Sequence, residues 1–459
     1  MFSQCNSRLE LTQFTSAEKN GQNQQHCNNG GSANLKGGAA RQVILTIRLR
    51  QHKKLEIRGA RESELEQTVE LSCIAFNTDN HERYWQYIKG DSSYRPSQTR
   101  VVVVNDRVVS TLRVWERRIR MGASLVTVGG IGGVCTHPHY RGVGYASALM
   151  RDTIGYLQTI GCDLGVLFTI IPEAFYRQLG WTSFPMHGCS VACDSTVSSI
   201  GSSAWLVADF NAEMDLDAVA RLYDTANTEQ SGTISRTRAY WDMAPCRIRG
   251  ILPTVVARRD GDIGGYLNYE MDGKQAEVRE VGCAPNAPEV LDALVCHLLE
   301  ACETDWVEKI AVKFPSLHPF SERLIAVCDS LVTKTERSKM MLYAVDLSVL
   351  LRRLVVGWES CIAEAEETFP ALVVRLPLLN DQQVVLRHNG DGTLQIVPEA
   401  ADAVDFGVDL SEADFWQLLF GEIGWEQVSS KTTVSTEISA FLAVLFPKRQ
   451  VIFWSSDQY

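Results

Sequence analysis

The chain has 459 residues, 45% of them apolar, and a formal charge of −11; it is long enough for about three domains and too acidic for a nucleic-acid partner, which needs a clustered basic face. Its 13 cysteines are scattered without Cys-x-x-Cys or zinc-like Cys/His spacing, so they read as reduced thiols of a cytoplasmic protein and imply neither a disulfide framework nor a metal site. The first residues form no charged and apolar leader and no stretch approaches the ~18 apolar residues of a membrane span, so a soluble intracellular protein is expected, with a charge that suits a cationic substrate.

The chain opens on a stretch rich in Asn, Gln, Ser and Gly, including Asn28-Asn29-Gly30-Gly31. Its apolar surface is too small to offset the entropy of ordering, so residues 1–53 are expected to be a disordered extension. Leu55-Glu56-Ile57-Arg58 reads as a strand. Residues 63–76 follow as an amphipathic helix with Leu65, Val69, Leu71 and Ile74 on its apolar face and Ser63 and Glu66 at capping-box spacing. Strands at 100–104 and 108–114 are joined by the hairpin signal Asn105-Asp106. Residues 125–136, rich in Val, Ile and Gly, form a buried strand that breaks into a glycine turn. Beyond it Ala146, Leu149, Met150, Ile154 and Leu157 recur at helical spacing. A strand at 164–169 and a helix opened by Pro172-Glu173 complete the run.

The glycine turn is the most informative stretch. A helix N-terminus presents backbone N–H groups that lack intrahelical partners, at the positive end of the macrodipole, and so binds phosphate without a lysine. Gly142 and Gly144 have no Cβ and let the backbone approach such an anion. The three glycines and downstream acid of the dinucleotide fingerprint are not completed, nor is the Gly-Lys-Ser/Thr of a P-loop. What is completed is Arg141-x-x-Gly144-x-Ala146 behind Pro138 and an apolar strand, followed by Phe175-Tyr176-Arg177-Gln178-Leu179-Gly180-Trp181. These motifs, in this order, resemble the acetyl-coenzyme A pyrophosphate loop and the Tyr-x-x-x-Gly-aromatic segment of the GCN5-related N-acetyltransferases.

A serine-rich break at 195–203 closes a first unit, 54–203. In a second, 204–344, residues 216–223 read as a helix, 254–258, 264–269 and 276–281 as strands, and 290–302 as an apolar-striped helix. The order repeats that of the first unit. The turn before its helix, however, is Cys283-Ala284-Pro285-Asn286-Ala287-Pro288, with two prolines where donors are wanted. It reads as a degenerate copy that shapes the substrate cleft and holds no cofactor. The last unit, 345–459, has a helix at 347–355, strands at 372–376, 383–388, 393–397 and 405–409, a hairpin closed by Gly390-Asp391-Gly392, and helices at 411–420 and 435–445. Ser411 and Asp414 have capping-box spacing. This order resembles the sterol carrier protein fold. The expected fold class is α/β of the α+β kind: tandem acetyltransferase folds, the second degenerate, then a sterol-carrier-like domain.

From residue 54 onward the chain resembles the enhanced intracellular survival (Eis-like) family of N-acetyltransferases. The resemblance implies a homo-hexamer, direct transfer of acetyl to an amine (an aminoglycoside, a polyamine or a lysine), and a C-terminal carboxylate, here that of Tyr459, reaching the active site. Backbone N–H groups near Val134 and Thr136, on a strand that splays from its neighbour, are expected to bond the thioester carbonyl and the pantetheine. Val134, Cys135 and Thr136, with Arg141, Gly142, Val143, Gly144, Tyr145 and Ala146, are the expected cofactor-binding residues; the Cys135 side chain is taken as packing. Tyr176 is the expected general acid, with a core tyrosine as its alternative. The Tyr459 carboxylate is the expected base, with a mobile chain end as its alternative. His137 and His139 are read as lining cofactor or solvent, and Glu173 as favouring a helix N-terminus. Asp79, Glu82 and Trp85 are read equally as substrate contacts or as a solvated loop. Two other functions stay open: a lipid carrier or scaffold, which needs an apolar tunnel within 345–459, and a sensor that binds acetyl-coenzyme A without turnover.

Overall fold

The computed structural model describes residues 54–91, 93–169, 171–193, 204–242, 250–328, 333–336, 339–398, 404–431 and 433–458. The expectations for residues 1–53, for the serine-rich break at 195–203 and for Tyr459 lie outside these.

β1 (Leu55–Gly59), β2 (Thr99–Val104), β3 (Arg107–Met121), β4 (Ser124–Thr136) and β5 (Leu164–Thr169) lie side by side in that order. The alternation of strand side chains decides what covers them. On β2, Val101 and Val103 pack with Leu65 and Leu71 of helix α1 (Leu65–Phe76). Val102 and Val104 point the other way, and helix α2 (His81–Lys89) is followed by α3 (Tyr145–Thr159), whose Leu149, Met150 and Leu157 receive them. A Cβ on Gly129 would stand 2.2 Å from Leu157 Cδ2, so a bare backbone there lets α3 seat on β4. The hairpin between β2 and β3 turns at Asn105 and Asp106, both at positive φ.

The start of α1 differs from the capping box expected at Ser63 and Glu66. A short 3-10 turn, Glu62–Glu64, precedes the helix, and the Glu64 carboxylate accepts from the Arg61 N–H at 2.8 Å. Arg58 supplies the reason, because its guanidinium holds both Glu64 oxygens at 2.8 Å and fixes that carboxylate over the turn.

After α4 (Ala174–Arg177) the chain forms β6 (Thr182–Phe184) and β7 (His187–Ala192), and here sheet membership crosses the expected unit boundaries at 203 and 344. β7 belongs to a second sheet with β8 (Leu206–Asp209), β9 (Val255–Arg259), β10 (Asp262–Asp272), β11 (Gln275–Cys283), β12 (Lys309–Val312) and β13 (Thr333–Glu336), in the order β13-β7-β12-β11-β10-β9-β8. β14 (Lys339–Ala344) returns to the first sheet and inserts between β5 and β6, paired from Lys339↔Thr169 to Ala344↔Leu164. Helices α5 (Ala212–Ala226), α6 (Arg238–Asp242), α7 (Val290–Thr304) and α8 (Pro319–Cys328) bury Leu216, Tyr240, Leu294 and Leu324 in the core of the second sheet.

The last unit opens on α9 (Leu347–Glu364), which runs past the expected end at Val355 because Trp358 and Ile362 prolong the buried stripe of Leu347, Leu351 and Leu354. β15 (Leu372–Arg375), β16 (Val384–His388), β17 (Leu394–Pro398) and the two-residue β18 (Phe406–Gly407) form its sheet, followed by α10 (Glu412–Phe420) and α11 (Thr436–Leu445). Ser411 caps α10 by accepting from the Asp414 N–H at 3.1 Å. Its core is filled by rings, with Trp358 against Phe446 at 5.6 Å and Phe369 against Phe441 at 5.4 Å. The cavity bordered by Leu354, Trp358, Leu418 and Leu445 is only about 20 Å³, room for about one water and none for a lipid. Among the described residues no helix is long and apolar enough to cross a membrane, and no group of three or more His, Cys, Asp or Glu is placed to hold a metal.

Candidate active site

The turn between β4 and α3 is built from backbone. Pro138–Tyr140 form a 3-10 turn, Gly142 and Gly144 sit at φ +77° and +93°, and α3 starts at Tyr145 with its first bond from the Ala148 N–H to the Gly144 carbonyl at 3.0 Å. Left-handed backbone at both glycines is costly for any other residue, and the N–H groups of the helix start that precede the Ala148 bond have no carbonyl one turn back to donate to. Arg141 is exposed; its Nε donates to the Thr136 carbonyl at 3.0 Å and braces the turn to the strand before it. Val143, Gly144 and Ala146 are half-buried and Gly142 is exposed. The Tyr145 ring is in the core, 2% exposed, so what it offers an anion is its backbone N–H. The residues present fit a bound pyrophosphate.

Beside this turn the sheet opens. β4 and β5 pair in parallel only from Val128↔Leu164 to Ile131↔Leu167, so residues 132–136 present their outer edge to a gap. A bulge helps: two residues of β4, Gly133 and Val134, stand opposite Leu112 alone, between the pairs Thr111↔Cys135 and Arg113↔Gly132. Val134 is half-buried and Thr136 shares a hydrogen bond with the Ser110 hydroxyl at 2.8 Å. Cys135 packs under α1, and burial pushes its thiol up to about 12, which removes it as a nucleophile at neutral pH. Burial, then Arg107, holds His137 below the usual imidazole range; its Nδ1 accepts from the His139 N–H at 3.3 Å.

Tyr176 sits in the short helix α4, 5% exposed, among Leu167, Trp181 and Val345. Burial raises its phenol, opposed by a hydrogen bond with the Thr169 side chain. That places its hydroxyl at the end of β5, while Tyr176 itself is not among the described residues that line the cleft. Glu173 pairs with Arg177 and accepts from the Ser183 hydroxyl at 2.7 Å, so it braces α4 to β6.

The cleft has a volume of about 1150 Å³. α1 and α2 supply one wall, with Phe76, Glu82, Tyr84 and Tyr87; Trp115, Gly132, Gly133 and Phe168 form the floor; Glu270, Glu277 and Arg279 of the second sheet face them. Of the three expected acceptor contacts, only Glu82 lines it. Asp79 is exposed, and Trp85 packs beside α1 with Lys89 Nζ 4.9 Å above its ring. The described lining holds three carboxylates, Glu82, Glu270 and Glu277, against three guanidiniums, Arg83, Arg113 and Arg279. The charge of −11 is therefore not concentrated there. Arg279 pairs with Glu270 and Glu277, and Lys313 reaches Glu277 at 2.8 Å; burial would raise the Glu277 carboxyl, but Lys313 and Arg279 hold it below the usual range.

Ser455, Ser456 and Gln458 complete the wall. Their anchor is a cluster that no sequence spacing announces. Arg236, fully buried, forks onto Glu280 at 2.9 and 2.6 Å and reaches Asp457 at 3.2 and 2.8 Å. Tyr266 donates to Glu280 at 2.8 Å, Ser456 to Glu280 at 3.0 Å and Tyr240 to Asp457 at 2.7 Å. The guanidinium lies 4.1 Å from the Tyr223 ring centroid and 4.7 Å from that of Trp241. Burial raises the Glu280 carboxyl against the pull of Arg236.

With this geometry in hand, residues 56–184 match the model of the acetyltransferase (GNAT) domain. Residues 56–184 form a GNAT acetyltransferase domain. This domain family uses acetyl-coenzyme A as its cosubstrate, the ligand that the glycine turn fits. A probable N-acyltransferase from Enterococcus faecalis is similar over 89% of this chain and 100% of its own, with a TM-score of 0.67 and 16% identity. A GCN5-related N-acetyltransferase from Anabaena variabilis gives 0.65 and 15%, and Eis1 of Mycobacterium abscessus 0.59 and 15%, each over 88% of this chain and 100% of its own. At these identities the likeness is one of fold. No curated protein matches the chain.

Proposed function

We propose that the chain is an acetyl-coenzyme A-dependent N-acetyltransferase that passes acetyl directly to an amine in the 1150 Å³ cleft. The observation that carries this is the meeting, on one strand end, of a helix-start anion site at Gly142–Gly144 and a parted ladder beyond Ile131 that opens toward the cleft. The amine nitrogen attacks the thioester carbonyl, N–H groups near Val134 and Thr136 take the oxyanion, the C–S bond breaks and the thiolate leaves. An ammonium acceptor yields amide, free thiol and one released proton. A thiol pKa is about 8.5 and an ordinary phenol's about 10, so Tyr176, raised further by burial, steadies the departing thiolate by a hydrogen bond as it offers its proton. Where Tyr459 is the terminal residue, its carboxylate, one position beyond Gln458, is the proposed proton acceptor.

The acceptor class belongs to the same proposal. The balanced lining, three carboxylates against three guanidiniums, favours an amine that also carries hydroxyl groups, such as an aminoglycoside, over a bare polycation such as a polyamine. Membership of the Eis-like family, a sterol-carrier-like last domain, a hexamer and a cytoplasmic place are part of this reading; the likeness to Eis1 across all three sheets supports it. A lipid carrier is not favoured, since the last unit's core is filled. The test is thiol release from acetyl-coenzyme A against a panel of cationic amines. Amine-dependent release is expected. Cofactor-induced thermal stabilisation without release from any amine would instead make the chain a sensor.

A further inference from the structure

The acceptor cleft and the second sheet share one segment, the turn Ser455–Asp457 and Gln458 after it. Its side chains divide between them. Ser455, Ser456 and Gln458 line the cleft, while Asp457 turns inward, 6% exposed, onto Arg236. Ser455 borders the cleft, but its hydroxyl is buried and has no hydrogen-bond partner among the described residues, an arrangement that costs stability unless rotation about its Cα–Cβ bond brings the hydroxyl to a ligand in the cleft.

We propose that Ser455 contacts the acceptor and that Arg236, clamped between Glu280 and Asp457, is the positioning residue that aims it. The inference rests on the transferase reading. A buried ion pair is a poor choice for stability alone, because apolar side chains of similar volume would seal the sheet as well or better. What a guanidinium fork supplies is orientation: planar, two-pronged bonding to Glu280 on β11 and to Asp457 on the tail fixes one against the other. The Tyr223 and Trp241 rings hold the guanidinium plane, and the Tyr240 hydroxyl fixes the remaining freedom of Asp457. One residue before the turn, Trp454 is anchored too, its Nε1 donating to Asn227 at 3.2 Å. Ser455 is thus held on both sides in sequence. Rotated into the cleft, its hydroxyl accepts from the acceptor's ammonium or donates to a hydroxyl beside it, so the acceptor it selects carries a hydrogen-bonding group next to the reacting nitrogen.

The test uses the full chain and an amine that it acetylates. Ser455→Ala is expected to raise the acceptor KM about fivefold, the loss of one neutral hydrogen bond, with the acetyl-coenzyme A KM within about twofold. Asp457→Ala is expected to raise the acceptor KM at least as much and to speed amide hydrogen exchange at 455–458 while β11 keeps its protection. Asp457→Asn, which retains hydrogen bonding to Arg236 and Tyr240, falls between. An unchanged acceptor KM in Ser455→Ala, or faster exchange in Asp457→Ala without a change in acceptor KM, overturns the inference. So does a rise in both KM values together with a lowered melting temperature, the sign of a purely structural role. A wild-type chain that releases thiol with no amine removes the transferase reading, and this inference with it; a wild type that turns over while the variants behave like it removes the inference alone.

Discussion

The two large sheets part at the same point in their topology, and only one of them stays open. β4 and β5 stop pairing after Ile131↔Leu167, β11 and β12 after Val278↔Val312. In the first sheet the gap leads to a cleft. In the second, Glu280 on β11 meets Arg236 and Asp457, and Trp454 packs edge-to-face against Phe314 at 5.3 Å, so the equivalent space is filled by the chain's own tail. The helix starts differ in the same sense. α3 begins behind two left-handed glycines and has no side-chain cap on its first donors. Before α7, Pro285 and Pro288 have no N–H to give. The N–H groups of Ala287 and Val290 are spent on Ala284 and Ala287 carbonyls at 3.0 and 3.1 Å, and Glu289, whose carboxylate accepts from Trp205 Nε1 at 3.3 Å, puts a negative charge beside the helix start, where it disfavours a second anion. A shared fold need not carry a shared activity; the contrast between the two helix starts predicts one cofactor site per chain.

The sealed side is the easier to break. Arg236→Met leaves Glu280 and Asp457 buried without a counter-charge, and chemical denaturation is expected to show a loss of about 3–5 kcal/mol; a loss below about 1 kcal/mol would mean that the fork does not hold the tail. On the open side, Tyr176→Phe is expected to lower kcat about 10- to 100-fold with acetyl-coenzyme A affinity nearly unchanged, and a large loss of affinity would contradict its role at the leaving thiolate. A smaller effect comes from pH. His318, in edge-to-face contact with Phe314 and Trp454, is held neutral by burial, its pKa lowered from 6.5 to about 3. The unfolded chain then binds the extra proton, so stability is full above pH 6.5 and falls as pH drops toward 3. At pH 5, 1.5 units below 6.5, the loss is about 2 kcal/mol. His318→Asn, which keeps an acceptor for the Phe320 N–H bonded at 3.2 Å, should flatten that slope in melts from pH 7 to 5. The least change is expected from Pro285→Gly combined with Pro288→Gly, because the negative charge of Glu289 beside the helix start still disfavours an anion: titration should show no second acetyl-coenzyme A site.

What could be read from the sequence was what short-range pattern encodes. The glycine turn is legible because Gly142 and Gly144 meet a backbone requirement, and the strands of the first sheet because valines alternate between two helices. The return of β14 to the first sheet was not, since nothing in its local sequence names its partners β5 and β6. The start of α1 moved because Arg58 commands Glu64 across a turn that spacing alone does not reveal. Arg236, Glu280 and Asp457 were missed altogether, being brought together only by the tertiary fold. The whole-chain charge was read as suiting a cationic substrate, yet in the cleft Arg83, Arg113 and Arg279 balance the carboxylates. Composition averages over surfaces that the fold keeps apart.

The most direct measurement is calorimetric titration of acetyl-coenzyme A into the full chain and into Gly144→Val. One site per chain is expected, weakened about 100-fold when a β-branched residue is forced into left-handed backbone at the helix start. Two sites per chain, or a single site indifferent to Gly144→Val, would contradict the contrast between an open first sheet and a sealed second one.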